Sequence, residues 1–233
     1  MPMLLAGLQK NSFIDYPAKI SGVLFVTGCN FRCPYCHNAA LARGEYPDRI
    51  TSVDALAYLE SRRSFLEGVT ITGGEPTLAA GLADLCRSVK RLGYSLKLDT
   101  NGSRPDLLRR LIDQDLVDFI AMDIKAPLDA YGPFCSDRHL LERLTASIRL
   151  IRDRAPAYEF RTTCAEPLID AAAIAAIAAT IQGADAYVLQ TFNRRATCLD
   201  PQFSHRQDPT IAVETMRRFK LLADPFVKRC TIR

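Results

Sequence analysis

The sequence predicts an α/β fold on a parallel sheet, either open and doubly wound or curved into a barrel, and three observations predict it. Short β-rich runs alternate with helical patterns along nearly the whole chain, most of those runs are apolar throughout, and each ends in glycines or polar residues. Strand, helix, strand in succession implies right-handed crossovers, which keep the strands parallel.

Six strands are expected: SGVLFVT (21–27), GVTIT (68–72), YSLKLDT (94–100), DFIAMDIK (118–125), YEFRTT (158–163) and AYVLQTF (186–192). They are mostly apolar, as in a sheet covered on both faces. Helical segments lie between them: VDALAYLESRRSFL (53–66), LAAGLADLCRSVKRL (78–92), PDLLRRLIDQ (105–114), RHLLERLTASIRLIRD (138–153) and IDAAAIAAIAATIQ (169–182). The last of these is alanine-rich, yet Ile174, Ile177 and Ile181 keep the helical period, so it reads as a packed helix. A further helix, PTIAVETMRRFKLLA, is expected over 209–223.

With 233 residues, 48% of them hydrophobic, the chain can bury a substantial core and is expected to form one domain over 1–233. Its net charge of +4 is spread over basic pairs, Arg62–Arg63, Arg109–Arg110, Arg194–Arg195 and Arg217–Arg218, best explained as solvated helix faces. No basic stripe interleaved with aromatics marks a nucleic-acid partner. The N-terminus has no signal-peptide pattern and no apolar run is long enough for a membrane span, so a cytoplasmic location is expected. The eight cysteines would then stay reduced, which favours metal binding or catalysis over a disulfide framework. Cys86, Cys135, Cys164, Cys198 and Cys230 are scattered singly and read as small buried hydrophobes.

Both parallel architectures place ligands at the C-terminal ends of their strands, and the chemistry-bearing residues stand there. The first strand is followed by TGCNFRCPYCHN, with Cys29, Cys33 and Cys36 inside eight residues. Structural zinc wants two separated cysteine pairs, or a pair with later histidines; His37 is a poor fourth ligand because it adjoins Cys36. A cubane iron–sulfur cluster normally takes four thiolates, so three would leave one iron open to substrate or cofactor. The second strand ends in Gly73, Gly74 and Glu75: glycines that let another molecule approach the backbone and an acceptor for an ammonium group. A turn with a helix-starting proline explains GGEP equally well in isolation. Asp99 can bind hydroxyls or a cation, Asp123 and Lys125 share one face of a strand end, and Arg161 can pair a carboxylate. A rim salt bridge is the plain alternative for Asp123 and Lys125.

These motifs resemble the radical S-adenosylmethionine (SAM) superfamily, whose CxxxCxφC signature, φ being aromatic, is met by Cys29, Cys33, Tyr35 and Cys36. The resemblance spans about 12–195 and implies a partial (β/α)6 TIM-like barrel, followed here by a C-terminal helix and tail. It implies that the three cysteines hold one [4Fe–4S] cluster whose fourth iron takes the amino and carboxylate groups of SAM. Gly73, Gly74 and Glu75 would bind the methionine amino group. Further segments, CPYCHN, DYPAKISGVLFVTGC, LDTNG and MDIK, are similar to activating enzymes of glycyl radical proteins, above all the longer form acting on anaerobic ribonucleoside-triphosphate reductase. That likeness implies a SAM-proximal or monovalent-cation site at Asp99 and Asp123, a SAM contact at Lys125, and Asp15 beside an incoming glycyl loop. It also implies a flavodoxin or ferredoxin as electron donor and no proton-transfer residue, because the cofactor performs the difficult step. Ala18 stands where relatives often have glycine, and Phe192 near where the pyruvate formate-lyase activator has a SAM-proximal histidine. No cysteine-rich insert follows the first motif, so a single cluster is expected. Two rivals remain: a radical SAM enzyme on a small molecule, such as a 7-carboxy-7-deazaguanine synthase, and a noncatalytic zinc-binding module.

Overall fold

In a computed structural model of the chain, residues 2–46, 49–194, 197–205 and 208–233 are described, so Arg195 of the third basic pair lies outside them. The strands are β1 (Leu4–Leu5), β2 (Gly7–Tyr16), β3 (Lys19–Val26), β4 (Ile50–Thr51), β5 (Gly68–Gly73), β6 (Ser95–Thr100), β7 (Phe119–Asp123), β8 (Tyr158–Cys164), β9 (Tyr187–Thr191) and β10 (Cys230–Ile232). The helices are α1 (Ala39–Arg43), α2 (Ser52–Ser61), α3 (Leu82–Arg91), α4 (Pro105–Asp113), α5 (Leu140–Arg154), α6 (Ala171–Thr180), α7 (Pro201–His205) and α8 (Val213–Ala223).

The eight-stranded sheet runs β10-β9-β8-β7-β6-β5-β3-β2, and every neighbouring pair is parallel except β2 with β3. All six expected strands are central to it. Its two edges, β2 and β10, do not pair with each other, so the barrel is partial. A short β1–β4 ribbon stands apart.

Period-two alternation divides each strand between two faces. Val69, Ile71, Leu96, Leu98, Ile120, Met122 and Phe160 are fully buried in the core. Each such side chain contributes about 1.5–3 kcal/mol by leaving water. The alternate residues, among them Lys97, Asp99, Asp123 and Arg161, lie on the opposite face, and the last three line an internal cavity. The helices end as their sequences direct. Pro105 opens α4, Asp170 caps α6 by accepting from Ala173 N at 2.8 Å, and left-handed Gly44 closes α1.

Helix 53–66 stops early, at Ser61, and the expected start at 78 is a short 3-10 turn, Pro76–Leu78, before α3. Of the five scattered cysteines, Cys86, Cys164, Cys198 and Cys230 are buried as expected, whereas Cys135 is half-buried against the core; no disulfide joins any of the eight. No helix among the described residues is long and apolar enough to cross a membrane.

Candidate active site

The cysteine loop leaves β3 through Gly28, whose φ of 85° is the left-handed turn glycine tolerates. Backbone bonds pin it to α1, Gly28 N to Leu41 O at 2.7 Å and Cys29 N to Ala42 O at 3.1 Å, and Arg32 N donates to Phe134 O at 2.8 Å. Phe31 and Tyr35 anchor it from below: their rings meet Tyr131 and Phe134 edge-on at 6.0 and 6.3 Å. The aromatic in the motif thus positions the thiols on either side of it. Burial pushes the Cys33 thiol up to about 12 and also raises Cys29, so a metal bound there would have to displace their protons.

All three thiols line one cavity of about 480 Å³, within the range that takes a cofactor, together with Gly73, Gly74, Glu75, Asp99, Asp123, Lys125 and Arg161. Among the described residues no three His, Cys, Asp or Glu side chains enclose a single metal ion. A [4Fe–4S] cluster does not ask for that, because each thiolate binds a different iron. Three uncrosslinked thiols on one wall fit such a cluster, and Tyr35, whose buried hydroxyl has no hydrogen-bond partner among the described residues, lines the same cavity.

The glycine pair was expected to admit another molecule to the backbone; its close neighbour is the chain itself. A Cβ on Gly74 would lie 2.1 Å from the Gly28 carbonyl oxygen, and one on Gly73, where φ is 115°, 2.5 Å from that of Val26. Gly74 N donates to Val26 O at 2.9 Å and Glu75 N to Gly28 O at 2.8 Å, so this motif docks the end of β5 onto the cysteine loop.

Glu75, 1% exposed, is a hub. Its Oε1 accepts from Thr77 N at 3.0 Å, Thr77 Oγ1 at 2.5 Å and Thr100 Oγ1 at 2.8 Å, and its Oε2 accepts from Asn101 N at 2.6 Å. Burial raises its carboxyl and these donors oppose the rise. Only Oε2 retains capacity for a ligand ammonium. Asn101 Nδ2 in turn donates to Asn30 Oδ1 at 2.9 Å and approaches Cys29 Sγ at 3.9 Å, tying β6 to the cysteine loop. Thr77, Thr100 and Asn101 were not among the expected site residues; the polar TNG turn was the signal for the last two, and Thr77 had only its place just after the GGEP motif.

Behind the hub lies an ionic group. Asp123 Oδ2 accepts from Lys125 Nζ at 2.8 Å and its Oδ1 from Arg161 Nε at 2.7 Å, while Arg161 Nη1 stands 3.5 Å from Asp99 Oδ2. Lys97, a buried lysine not anticipated as a site residue, pairs with Asp99. Arg161 bridges Asp99 and Asp123, the two carboxylates at which a monovalent cation was expected, and the three side-chain cations exceed them by one. Lys125 Nζ also sits 6.0 Å from the centre of the Tyr35 ring.

Burial would raise both carboxyls, but Arg161 and Lys125 hold Asp123 well below its ordinary 3.8, and Arg161 and Lys97 lower Asp99. A folded pKa below the unfolded one stabilises the fold fully above about pH 4, and that stabilisation is lost as pH falls through the folded values. Asp123→Asn is accordingly expected to flatten the acid limb of stability. Urea midpoints measured from about pH 6 to pH 2 check this, and an unchanged acid slope would contradict the ion network.

Asp15 lines the cavity too, its Oδ2 accepting from Ser12 Oγ at 2.5 Å. Phe192 is buried against His37 and Phe203, with ring centres at 5.2 and 5.9 Å, and does not line the cavity; Gln190 and Thr163 do, and both were missed as site residues. Ala18 takes a φ of 58°, a conformation glycine adopts freely, in the turn between β2 and β3.

Comparison with known proteins bears on family and fold. The description "Radical SAM superfamily" matches residues 23–165. A Methanocaldococcus jannaschii protein, provisionally named a glycyl-radical enzyme activating enzyme, is 31% identical over all of this chain and 97% of its own length. The 7-carboxy-7-deazaguanine synthase of Methanopyrus kandleri is 30% identical over 52% of this chain and 57% of its own. Among solved structures, Streptococcus suis SuiB bound to precursor peptide SuiA superposes with a TM-score of 0.70 over 91% of this chain at 11% identity. The chain spans about half of SuiB, 48%. Native anSMEcpe with bound AdoMet gives 0.58 over 89% of this chain and 62% of that one at 14% identity, a likeness of fold alone. By its three-cysteine loop, its partial barrel and the match over most of its length, the chain belongs to the radical SAM superfamily.

Proposed function

We propose that this protein is an activating enzyme that reductively cleaves SAM and uses the 5′-deoxyadenosyl radical to take a hydrogen atom from a backbone glycine of a partner enzyme, anaerobic ribonucleoside-triphosphate reductase. One observation carries the reading: three free thiols, the Gly73–Gly74–Glu75 turn and the Asp99–Asp123–Lys125–Arg161 group line a single cavity in a chain that matches an activating-enzyme relative end to end.

Cys29, Cys33 and Cys36 would hold the cluster, which supplies the single electron that splits the sulfonium, itself replenished by a flavodoxin or ferredoxin. The residues of this chain bind and orient. Glu75 Oε2 offers its remaining acceptor to the methionine ammonium, and the surplus positive charge at Lys125 and Arg161 faces its carboxylate. Tyr35, Gly73 and Gly74 shape the wall, Asp99 and Asp123 keep the cations in place, and Asp15 meets the glycine-bearing segment. No side chain has to move a proton for hydrogen-atom transfer.

The test is anaerobic incubation of the reconstituted, reduced protein with SAM and the reductase, followed by electron paramagnetic resonance. A glycyl radical doublet is the expected result. Silence with the reductase but a doublet with another glycyl radical enzyme would overturn the partner. The similarity to a 7-carboxy-7-deazaguanine synthase over half of the chain favours a second reading, an enzyme on a small molecule; SAM cleavage stimulated by that enzyme's substrate, and by no protein, would establish it.

A further inference from the structure

We infer that Arg161, with Lys97 behind it, is a built-in cation that joins Asp99 to Asp123, so that SAM binding by this protein needs no monovalent metal ion at these carboxylates. The inference rests on the SAM-binding reading of the cavity. It follows from where the charges stand. Sheet register sets Asp123 directly beside Arg161 and puts Asp99 one strand further, beside Ala121. A guanidinium on β8 can therefore reach both carboxylates, with Nε 2.7 Å from Asp123 Oδ1 and Nη1 3.5 Å from Asp99 Oδ2. Lys97 occupies the other side of Asp99, and Lys125 the other oxygen of Asp123.

All five side chains are at most 24% exposed, so water screens them poorly. A metal cation between the carboxylates would have to displace Arg161 or add a further positive charge to a group already in surplus. Both are costly in a buried site, because a guanidinium cannot lose its proton to relieve the repulsion. The small Ala121 keeps the β7 position between them from blocking the bridge. Arg161 and Lys97 are thus positioning residues: they fix Asp99 and Asp123 and leave Lys125 directed into the cavity.

The experiment measures SAM binding to the anaerobically reconstituted protein by calorimetry in potassium, sodium and choline chloride at equal ionic strength. The wild-type dissociation constant is expected to agree within about twofold across the three salts. Arg161→Met is expected to weaken binding about tenfold or more in choline, and potassium or sodium should recover part of the loss. That rescue is what a merely structural arginine would not produce. A wild-type affinity that collapses in choline and returns with potassium would overturn the inference, as would an Arg161→Met loss that no salt relieves. Should that variant fail to fold, anomalous scattering from rubidium-soaked crystals of the wild type decides: no peak between Asp99 and Asp123 supports the built-in cation, and a peak there refutes it. Absence of SAM binding in every salt would instead overturn the cofactor reading beneath it.

Discussion

Cys33→Ala is expected to leave a folded protein that holds no intact cluster and does not cleave SAM. Cys33 is 6% exposed within the core, and trimming its sulfur should cost the apo-protein about 1 kcal/mol, the ordinary scale for a conservative core change. The metal chemistry should suffer far more. Replacing a group that only orients a ligand costs about 10–100-fold in metal affinity or activity, and here the ligand itself is removed, so formation of 5′-deoxyadenosine should fall by at least about a hundredfold. Iron and sulfide analysis after anaerobic reconstitution, with thermal melting of the apo-protein alongside, separates the two effects. A variant with full iron content and full turnover would contradict the cluster assignment; one that holds stoichiometric zinc in place of iron would favour a closed tetrahedral site.

Gly74→Ala should be nearly as damaging although it touches no ligand. Its new methyl group would lie 2.1 Å from the Gly28 carbonyl oxygen and 2.8 Å from the carbonyl carbon, and both belong to backbone rather than to a side chain that can swing away. Either β5 or the cysteine loop must move, straining the bonds from Gly74 N to Val26 O and from Glu75 N to Gly28 O. Forced overpacking of this kind costs about 3 kcal/mol, which lowers the melting temperature of a chain this size by about 6–12 °C. Because the displaced partner is the residue before Cys29, cluster loading should fall as well. Gly7→Ala is the control: a Cβ there meets nothing within 4 Å, and the backbone has no positive φ. Equal melting temperatures and equal iron content for the two variants would show that the glycine turn does not position the cysteine loop.

Much of this molecule can be read before it folds. The six parallel strands are legible because they are short and mostly apolar, as strands covered on both faces are, and the helices between them carry a period long enough to recognise. The elements that escape are those without such a signal. Strand β2 lies at a sheet edge, displays Phe13 and Ile14 at 68% and 86% exposure and has an irregular register, so it shows no alternation. Strand β10 has three residues and α1 and α7 five each, too few for any period.

The cysteines, the glycine pair and Glu75, Asp99, Asp123, Lys125 and Arg161 are legible for a different reason: parallel sheets gather function at strand ends, and all of these residues but Arg161, which lies within β8, stand close to or just past one. Sequence alone therefore determined the fold class, the strand ends that carry chemistry and the residues standing on them, because face and period are local properties of the chain. Which of those residues touch was decided only by tertiary structure. The bridge from Arg161 to two carboxylates, the glycine turn closing on Gly28, and the hydrogen bonds from Thr100 and Asn101 to Glu75 all depend on strand order and register. Those are fixed by pairings between segments dozens of residues apart, which no local pattern encodes.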